Sequence, residues 1–247
     1  MKFPKLVLVL IVVAVLSSAL IFGFLLMRSN GGLVGFYHLD DIKATDEGTN
    51  SLVLANNRFA VDYYSKLSSD PKNEGKNIFF SPFIVSAVFS MVYEGASGLT
   101  AQEIRRVFYF PENDIERRSS FARIYNKINE GASKGNYSLS IANGLWIEKA
   151  YGIAQNYNDV IKNYYYGKVT LLDFNKNYED ARIIINTSVE EATRGKIVDL
   201  LPSGSVSSLT KMVITSAIYF KGDWAKKFDK KYTHDANFFV SEEKKLL

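Results

Sequence analysis

Residues 77–98 read NIFFSPFIVSAVFSMVYEGASG. Three signals follow one another in this stretch. Asn77–Phe80 is a short apolar run of strand type. Ser81 then Pro82 is a helix start: Ser suits the N-cap, and Pro suits the first turn, where its missing N–H costs nothing. The following residues are apolar nearly all round, which predicts a buried helix. Gly95 is placed to end that helix in a left-handed conformation.

The pattern continues outward on both sides. Upstream, Leu52, Ala55, Phe59, Tyr63 and Leu67 recur at helical spacing, and the run ends at Ser68-Ser69-Asp70-Pro71. Downstream, Thr100 and Glu103 have capping-box spacing. The helix they open carries Ile104, Val107 and Phe108 on one face and stops before Pro111. A further amphipathic stripe is Phe121, Ile124, Tyr125 and Ile128. SLSIANGLWI then alternates, with Leu139, Ile141, Leu145 and Ile147 on one face of a strand. AQNYNDVIKNYYYG reads as a helix stopped by Gly167, and KVTLLDF as a strand. Glu179–Ala192 is expected as a helix with an Ile184, Ser188, Ala192 stripe. TKMVITSAIYFKG is a long strand apolar on both faces, expected at the centre of a sheet. Phe238–Val240 reads as a strand and Ser241–Lys245 as a charged turn, with Leu246-Leu247 opening the next strand. Helices and strands mix without strict alternation, so the class is α+β.

Composition narrows the functions. The chain has 247 residues, 47% hydrophobic and 14% aromatic, enough for a real core. Its 30 basic and 26 acidic side chains leave a net charge of +4, which does not single out nucleic acid as a partner. There are no cysteines, so disulfide and thiolate chemistry are excluded. The two histidines, His38 and His234, lack a second metal ligand at useful spacing and read as solvated. No phosphate loop fits, since RGKI at 194–197 lacks both the upstream Gly and the following Ser or Thr. No zinc-protease helix, nucleophile elbow or calcium loop is present, and no cofactor is implied. Acid pairs such as Asp40-Asp41 and Glu190-Glu191 read as a solvated face. Arg105, Arg106, Arg117 and Arg118 could grip an anionic polysaccharide, with ordinary surface charge the stronger reading. Asn136-Tyr-Ser138 and Asn186-Thr-Ser188 are candidate glycosylation sequons.

Leu6–Met27 is uncharged and apolar. At about 1.5 Å per residue it is long enough for a hydrocarbon core of about 30 Å. Lys2 and Lys5 precede it, which puts the N-terminus in the cytoplasm and the body on the extracellular side. Residues 1–30 are therefore expected as an uncleaved signal-anchor, with a cleaved signal peptide as the competitor. Residues 31–48 read as a tether, and 49–247 as the domain.

Four motifs in order carry a resemblance. NIFFSPFIVSAVFSMVYEGASGLTAQEI, LSIANGLWIEKAY, ARIIINTSVEEATRGKIVDLLPSGSVSSLTKMVITSAIYFKGDWAKKFD and THDANFFVS together resemble the serpins, collinearly from about Leu52 to Val240. The resemblance implies a multi-helix, multi-sheet fold and an inhibitor rather than an enzyme. A target serine protease, or a cysteine protease, would attack an exposed reactive loop. The cleaved loop would then insert into the main sheet as a new strand, an act that also serves as a general example of strand addition and released strain.

By the same resemblance, Ser81 matches the serine of the shutter, where the sheet parts. Trp224 matches the tryptophan of the breach, where insertion begins. The plain structural readings are a helix cap for Ser81 and a core filler for Trp224, and both readings can hold together. Two positions depart from the pattern: Ile84 stands where a second shutter serine is expected, and Ser216 stands for the shutter asparagine. Polar bonding at the shutter is therefore expected to differ. The reactive loop of serpins lies near the C-terminus, so these residues are expected to be the N-terminal portion of a serpin domain. Such a portion would be inactive alone. The alternatives are a non-inhibitory binding module or a decayed remnant whose long apolar edge strand invites aggregation.

Overall fold

The computed structural model describes residues 37–135, 137–239 and 245–246. The apolar run at 6–27 and the sequon residue Asn136 lie outside them. Among the described residues no helix is long and apolar enough to cross a membrane.

The first helix, α1 (Asp46–Ser69), opens earlier than its apolar stripe indicated. The reason is its cap: Thr45 Oγ1 accepts from the Gly48 N–H at 2.9 Å, and Asp46 and Glu47 complement the helix dipole. Residues 39–48, expected as part of a tether, lie in the packed body. Leu39 and Ala44 are buried, and the chain from 39 to 46 lies strapped onto neighbouring helices. Asn126 holds Leu39 at both backbone groups, accepting from its N–H at 2.9 Å and donating to its carbonyl at 3.0 Å. Asp40 donates its N–H to the Asn163 carbonyl at 2.9 Å. Thr45 donates its hydroxyl to Glu116 at 2.7 Å, and Arg123 reaches Asp46 at 3.0 Å.

Asn77–Phe80 is not a strand: its backbone is irregular, and Phe79 is fully exposed. An apolar run becomes a strand only beside a partner that takes its N–H and C=O groups. The helix α2 (Pro82–Gly95) is buried as expected, through Ile84, Ser86, Ala87, Val88, Ser90 and Met91. Gly95 ends it without a left-handed residue, since Ala96 follows at φ −88°. Its value is space: a Cβ there would stand 3.2 Å from the Tyr157 ring. The next helix, α3 (Gly98–Phe108), starts after Ser97, so Thr100 is not its cap; Tyr109 closes it at φ 57°. In α4 (Asp114–Ser133) the Asn113 side chain caps the Glu116 N–H, and Phe121 and Tyr125 are fully buried.

The strand β1 (Tyr137–Glu148) is the centre of a three-stranded sheet. It runs parallel to β2 (Gly167–Leu172) and antiparallel to β3 (Met212–Gly222). Among the described residues β3 is thus an edge strand: its composition alone reads as central, while in this portion of the fold one side is expected to lack its partner. Its apolar character on both faces has another cause: α2 packs on one side and the helix α6 (Phe174–Ala192) also packs on it. Helix α5 (Gln155–Tyr165) is closed by Tyr166 at φ 54°, so Gly167 is not the stop. Gly167 instead admits the backbone close to α2 and α5, because a Cβ there would meet Met91 Sδ at 2.5 Å and Ile161 Cγ2 at 2.6 Å.

Asp173 caps α6 by accepting the Lys176 N–H at 2.9 Å, so this helix too begins earlier than expected. Its buried stripe is Ala181, Ile185 and Val189, one position off the expected one, and Ile184 is 47% exposed. The interior forms two clusters. The larger joins α1, α2, α4, α5 and β1; the smaller, Trp146, Leu172, Phe174, Ala181, Ile185 and Val206, lies between the sheet and α6. A short hairpin pairs β4 (Phe238–Phe239) with β5 (Lys245–Leu246), as the end of the sequence suggested.

Replacing Asn126 by Ala is expected to cost about 1–3 kcal/mol, because the Leu39 backbone groups it serves are buried. Chemical denaturation of the wild-type and variant proteins checks this.

Candidate functional site

The polar residues of the sheet converge at its middle. The β1–β3 register sets Asn143 directly opposite Ser216. Ser216 donates its hydroxyl to Asn143 Oδ1 at 2.6 Å. The Asn143 amide donates to the Tyr125 hydroxyl at 2.7 Å and to the Tyr165 carbonyl at 3.3 Å. Asn143 therefore ties β3, α4 and the end of α5 together while itself buried.

The next residue along β3 faces the other way. Thr215 accepts the Trp146 indole N–H at 2.9 Å. Gly144 makes room for this contact: a Cβ there would stand 2.7 Å from Trp146 Nε1 and 2.8 Å from Thr215 Oγ1. Both faces of the β1–β3 pair are thus stitched by side chains.

Behind Asn143 the network becomes ionic. The Tyr165 hydroxyl donates to Glu94 Oε1 at 2.5 Å. Arg117 donates to the same oxygen at 2.8 Å, and Arg118 Nε donates to Oε2 at 2.9 Å. Arg117 also pairs with Asp114 at 2.6 Å and covers the Tyr93 ring at 4.5 Å. The Arg117 and Glu94 side chains are 0% and 2% exposed. Burial pulls the Arg117 guanidinium down, but Tyr165, Glu94 and Asp114 raise it further, so it stays charged. Burial likewise lifts the Tyr125 and Tyr165 phenols well above their ordinary range, with the Glu94 charge adding to the effect on Tyr165.

The expected site residues fare differently. Ser216 lies in the network. Ser81 stands at the α2 cap position, half-buried, and its side chain makes no capping bond. Ile84 is buried in apolar core, so it adds no hydrogen bond at that point. Trp224 fills no core: it is 71% exposed, edge-on to Phe228 at 5.8 Å.

The arginine surface is also corrected. Arg117 is buried and Arg118 is paired to Glu94, so these two charges are committed within the chain, while Arg105 pairs with Glu112 only at the exposed surface. Asn186 is buried and clamps Leu201, donating to its carbonyl and accepting its N–H, both at 2.9 Å. That sequon is closed to a glycan. Among the described residues no group of His, Asp and Glu could hold a metal ion.

Sequence reasoning missed Asn143 and Glu94. Both carried a signal. Asn143 is the one polar residue on the Leu139, Ile141, Leu145, Ile147 face, and Glu94 is the one charge in a helix apolar all round.

The family model for Serpin (serine protease inhibitor) matches residues 54–246. An uncharacterized serpin-like protein of Methanosarcina mazei is 42% identical over 76% of this chain and 44% of its own length. The leukocyte elastase inhibitor of Bos taurus is 40% identical over 77% of this chain and 49% of its own. Among solved structures, emu ovalbumin aligns with a TM-score of 0.69 at 31% identity, covering 79% of this chain and 53% of that one. A tumour suppressing serpin aligns with a TM-score of 0.71 at 31% identity, covering 79% and 52%. The chain thus spans about half the length of the relatives it matches.

Two outcomes follow from the network. Ser216→Ala leaves Asn143 Oδ1 without this donor and is expected to cost about 1–3 kcal/mol, read by denaturation. Tyr157, half-buried and near the Glu94 charge, is pushed up to about 12, against a usual phenol value of 10.0. A folded-state value above the unfolded one stabilises fully below the unfolded value and is lost as pH rises through the folded one. Ultraviolet titration should therefore show Tyr125, Tyr157 and Tyr165 ionising last, with stability falling across pH 10 to 12.

Proposed function

The chain belongs to the serpin family, and we propose that it supplies the amino-terminal portion of a serine-protease inhibitor displayed on the extracellular side of a membrane. The family model supports inhibition over enzymatic catalysis. The observation that carries the reading is the open side of β3, which among the described residues pairs with β1 alone. Inhibition by strand insertion needs a sheet edge that can take another strand. A long apolar strand held firmly on one side and open on the other meets that need.

In this reading a serine protease, or a cysteine protease, is the partner, and residues 6–27 are the membrane anchor. The bait loop and the strand beyond the insertion gap come from the portion of the family fold that these residues do not match. The chain alone is then inactive as an inhibitor.

A second reading is a binding module that does not inhibit. It is favoured by one observation: with Ile84 buried in apolar core and Ser216 in place of an asparagine, polar bonding at the middle of the sheet is differently built from what the family resemblance implies.

Two experiments test the proposal. Sequencing the transcript past codon 247 should find an open frame that runs into a second sheet and an exposed loop; an immediate stop sinks inhibition by strand insertion. The 247-residue chain by itself should form no SDS-resistant adduct with trypsin-like, chymotrypsin-like or subtilisin-like proteases. A covalent band would place a working bait loop within these residues and refute the proposal.

A further inference from the structure

Two demands meet in the middle of β1. The polar network needs an amide at 143, which accepts from Ser216 and donates to Tyr125 and to the Tyr165 carbonyl. The opposite face needs a residue without a Cβ at 144, where one would crowd both Trp146 Nε1 and Thr215 Oγ1. Packing therefore writes Asn-Gly into a central strand. Of the two Asn-Gly pairs in the sequence, Asn30-Gly31 and Asn143-Gly144, only the second lies among the described residues.

Asn-Gly is chemically labile, because glycine has no Cβ to keep its nitrogen away from the preceding asparagine side chain. We propose that Asn143 is a modification site, converted to aspartate and isoaspartate whenever β1 leaves its place in the sheet, so that the conversion marks that loss irreversibly.

The folded strand withholds the reaction. Asn143 pairs with Gly167 on one side and Ser216 on the other, and Gly144 pairs with Lys168 and Thr215. In a strand the side chain stands on one face, while the backbone N–H points in the plane of the sheet toward a neighbouring strand. The Gly144 nitrogen reaches Asn143 Cγ only after the backbone turns about ψ of Asn143, which breaks the ladder on both sides. The amide is fixed as well: three hydrogen bonds hold it, and the residue is 4% exposed. All of these partners come from α4, α5, β2 and β3, so the protection is internal to the described residues.

The step needs only water. The Gly144 nitrogen gives up its proton and bonds to Asn143 Cγ, the Cγ–Nδ2 bond breaks, and ammonia leaves with that proton. Water then adds to one carbonyl of the resulting five-membered imide. If it breaks the Cγ–N bond, aspartate results. If it breaks the original peptide bond, the main chain runs on through Cγ as isoaspartate. Neither product fits the site. An aspartate has no hydrogen to give the Tyr165 carbonyl, and it buries a charge whose hydrogen-bond partners include no cation. Isoaspartate lengthens the main chain by one carbon and shifts the rest of β1 against both neighbours.

The test is incubation of the full 247-residue chain at mildly alkaline pH, in buffer and in concentrated urea, with peptide mapping of residue 143 against time. In urea Asn143 should convert at a rate comparable to Asn30. In buffer it should convert at least about tenfold more slowly than in urea, because only opened molecules react. Ser216→Ala removes one of the three bonds on the amide, and should raise the rate in buffer about fivefold or more while leaving the rate in urea unchanged. Asn143→Asp, the product made directly, should melt at a lower temperature than the wild type. Equal rates in buffer and urea, no conversion in urea, an unchanged buffer rate in Ser216→Ala, or a wild-type thermal transition for Asn143→Asp each overturn the inference, which does not depend on the proposed inhibition.

Discussion

One buried carboxylate organises the helical side of this fold. Glu94 sits in the last turn of an otherwise apolar helix, where a lone charge would be costly. Two arginines from α4 and a tyrosine hydroxyl from α5 satisfy it. Two of those groups are in turn committed, Arg117 to Asp114 and the Tyr93 ring, Tyr165 through its carbonyl to Asn143. Losing Glu94 would leave a buried guanidinium short of a counter-charge, a defect that typically costs about 3–5 kcal/mol. Three helices and the centre of the sheet therefore share a single set of geometric constraints. The membership of Asn143 in that set makes the position of Ser216 a consequence of helix packing as much as of strand pairing.

How much of this was readable beforehand depended on whether the determining force was local. The α+β class, the order of elements, the buried helix after Pro82 and the terminal hairpin all rest on periodicity and breakers, which are local signals. Helix starts were less legible. Thr45 and Asp173 act as caps several residues before the stripes from which the two helices are read, and a stripe alone does not reveal them. Asn77–Phe80 and β3 misled for a common reason: strand status and strand position are set by partners elsewhere in the chain, not by the composition of the strand. In α6 the expected stripe was one position off because Ile183, Ile184 and Ile185 offer three equally apolar registers, and packing against the sheet selected Ile185.

The candidate site was half visible. Ser216 emerged only through family resemblance, and its partner did not emerge at all, because hydrogen bonding between opposite strands requires the register. The arginines show the same limit in electrostatic form. Four basic residues close together in sequence read chiefly as surface charge, with an anionic ligand as the lesser alternative, but tertiary pairing had already drawn two of them, Arg117 and Arg118, onto the buried Glu94.

The paired stitches on β3 bear on how this sheet can move. Thr215 and Ser216 point to opposite faces and each binds a β1 side chain, one diagonal and one directly across. A slip of one residue would exchange the faces and break both contacts at once. Peeling β3 from β1 would strand a buried amide and an indole N–H together. The two strands should therefore travel as a single plate. Any widening of the sheet must be accommodated along the far side of that plate, or where it rides over α2 and α6.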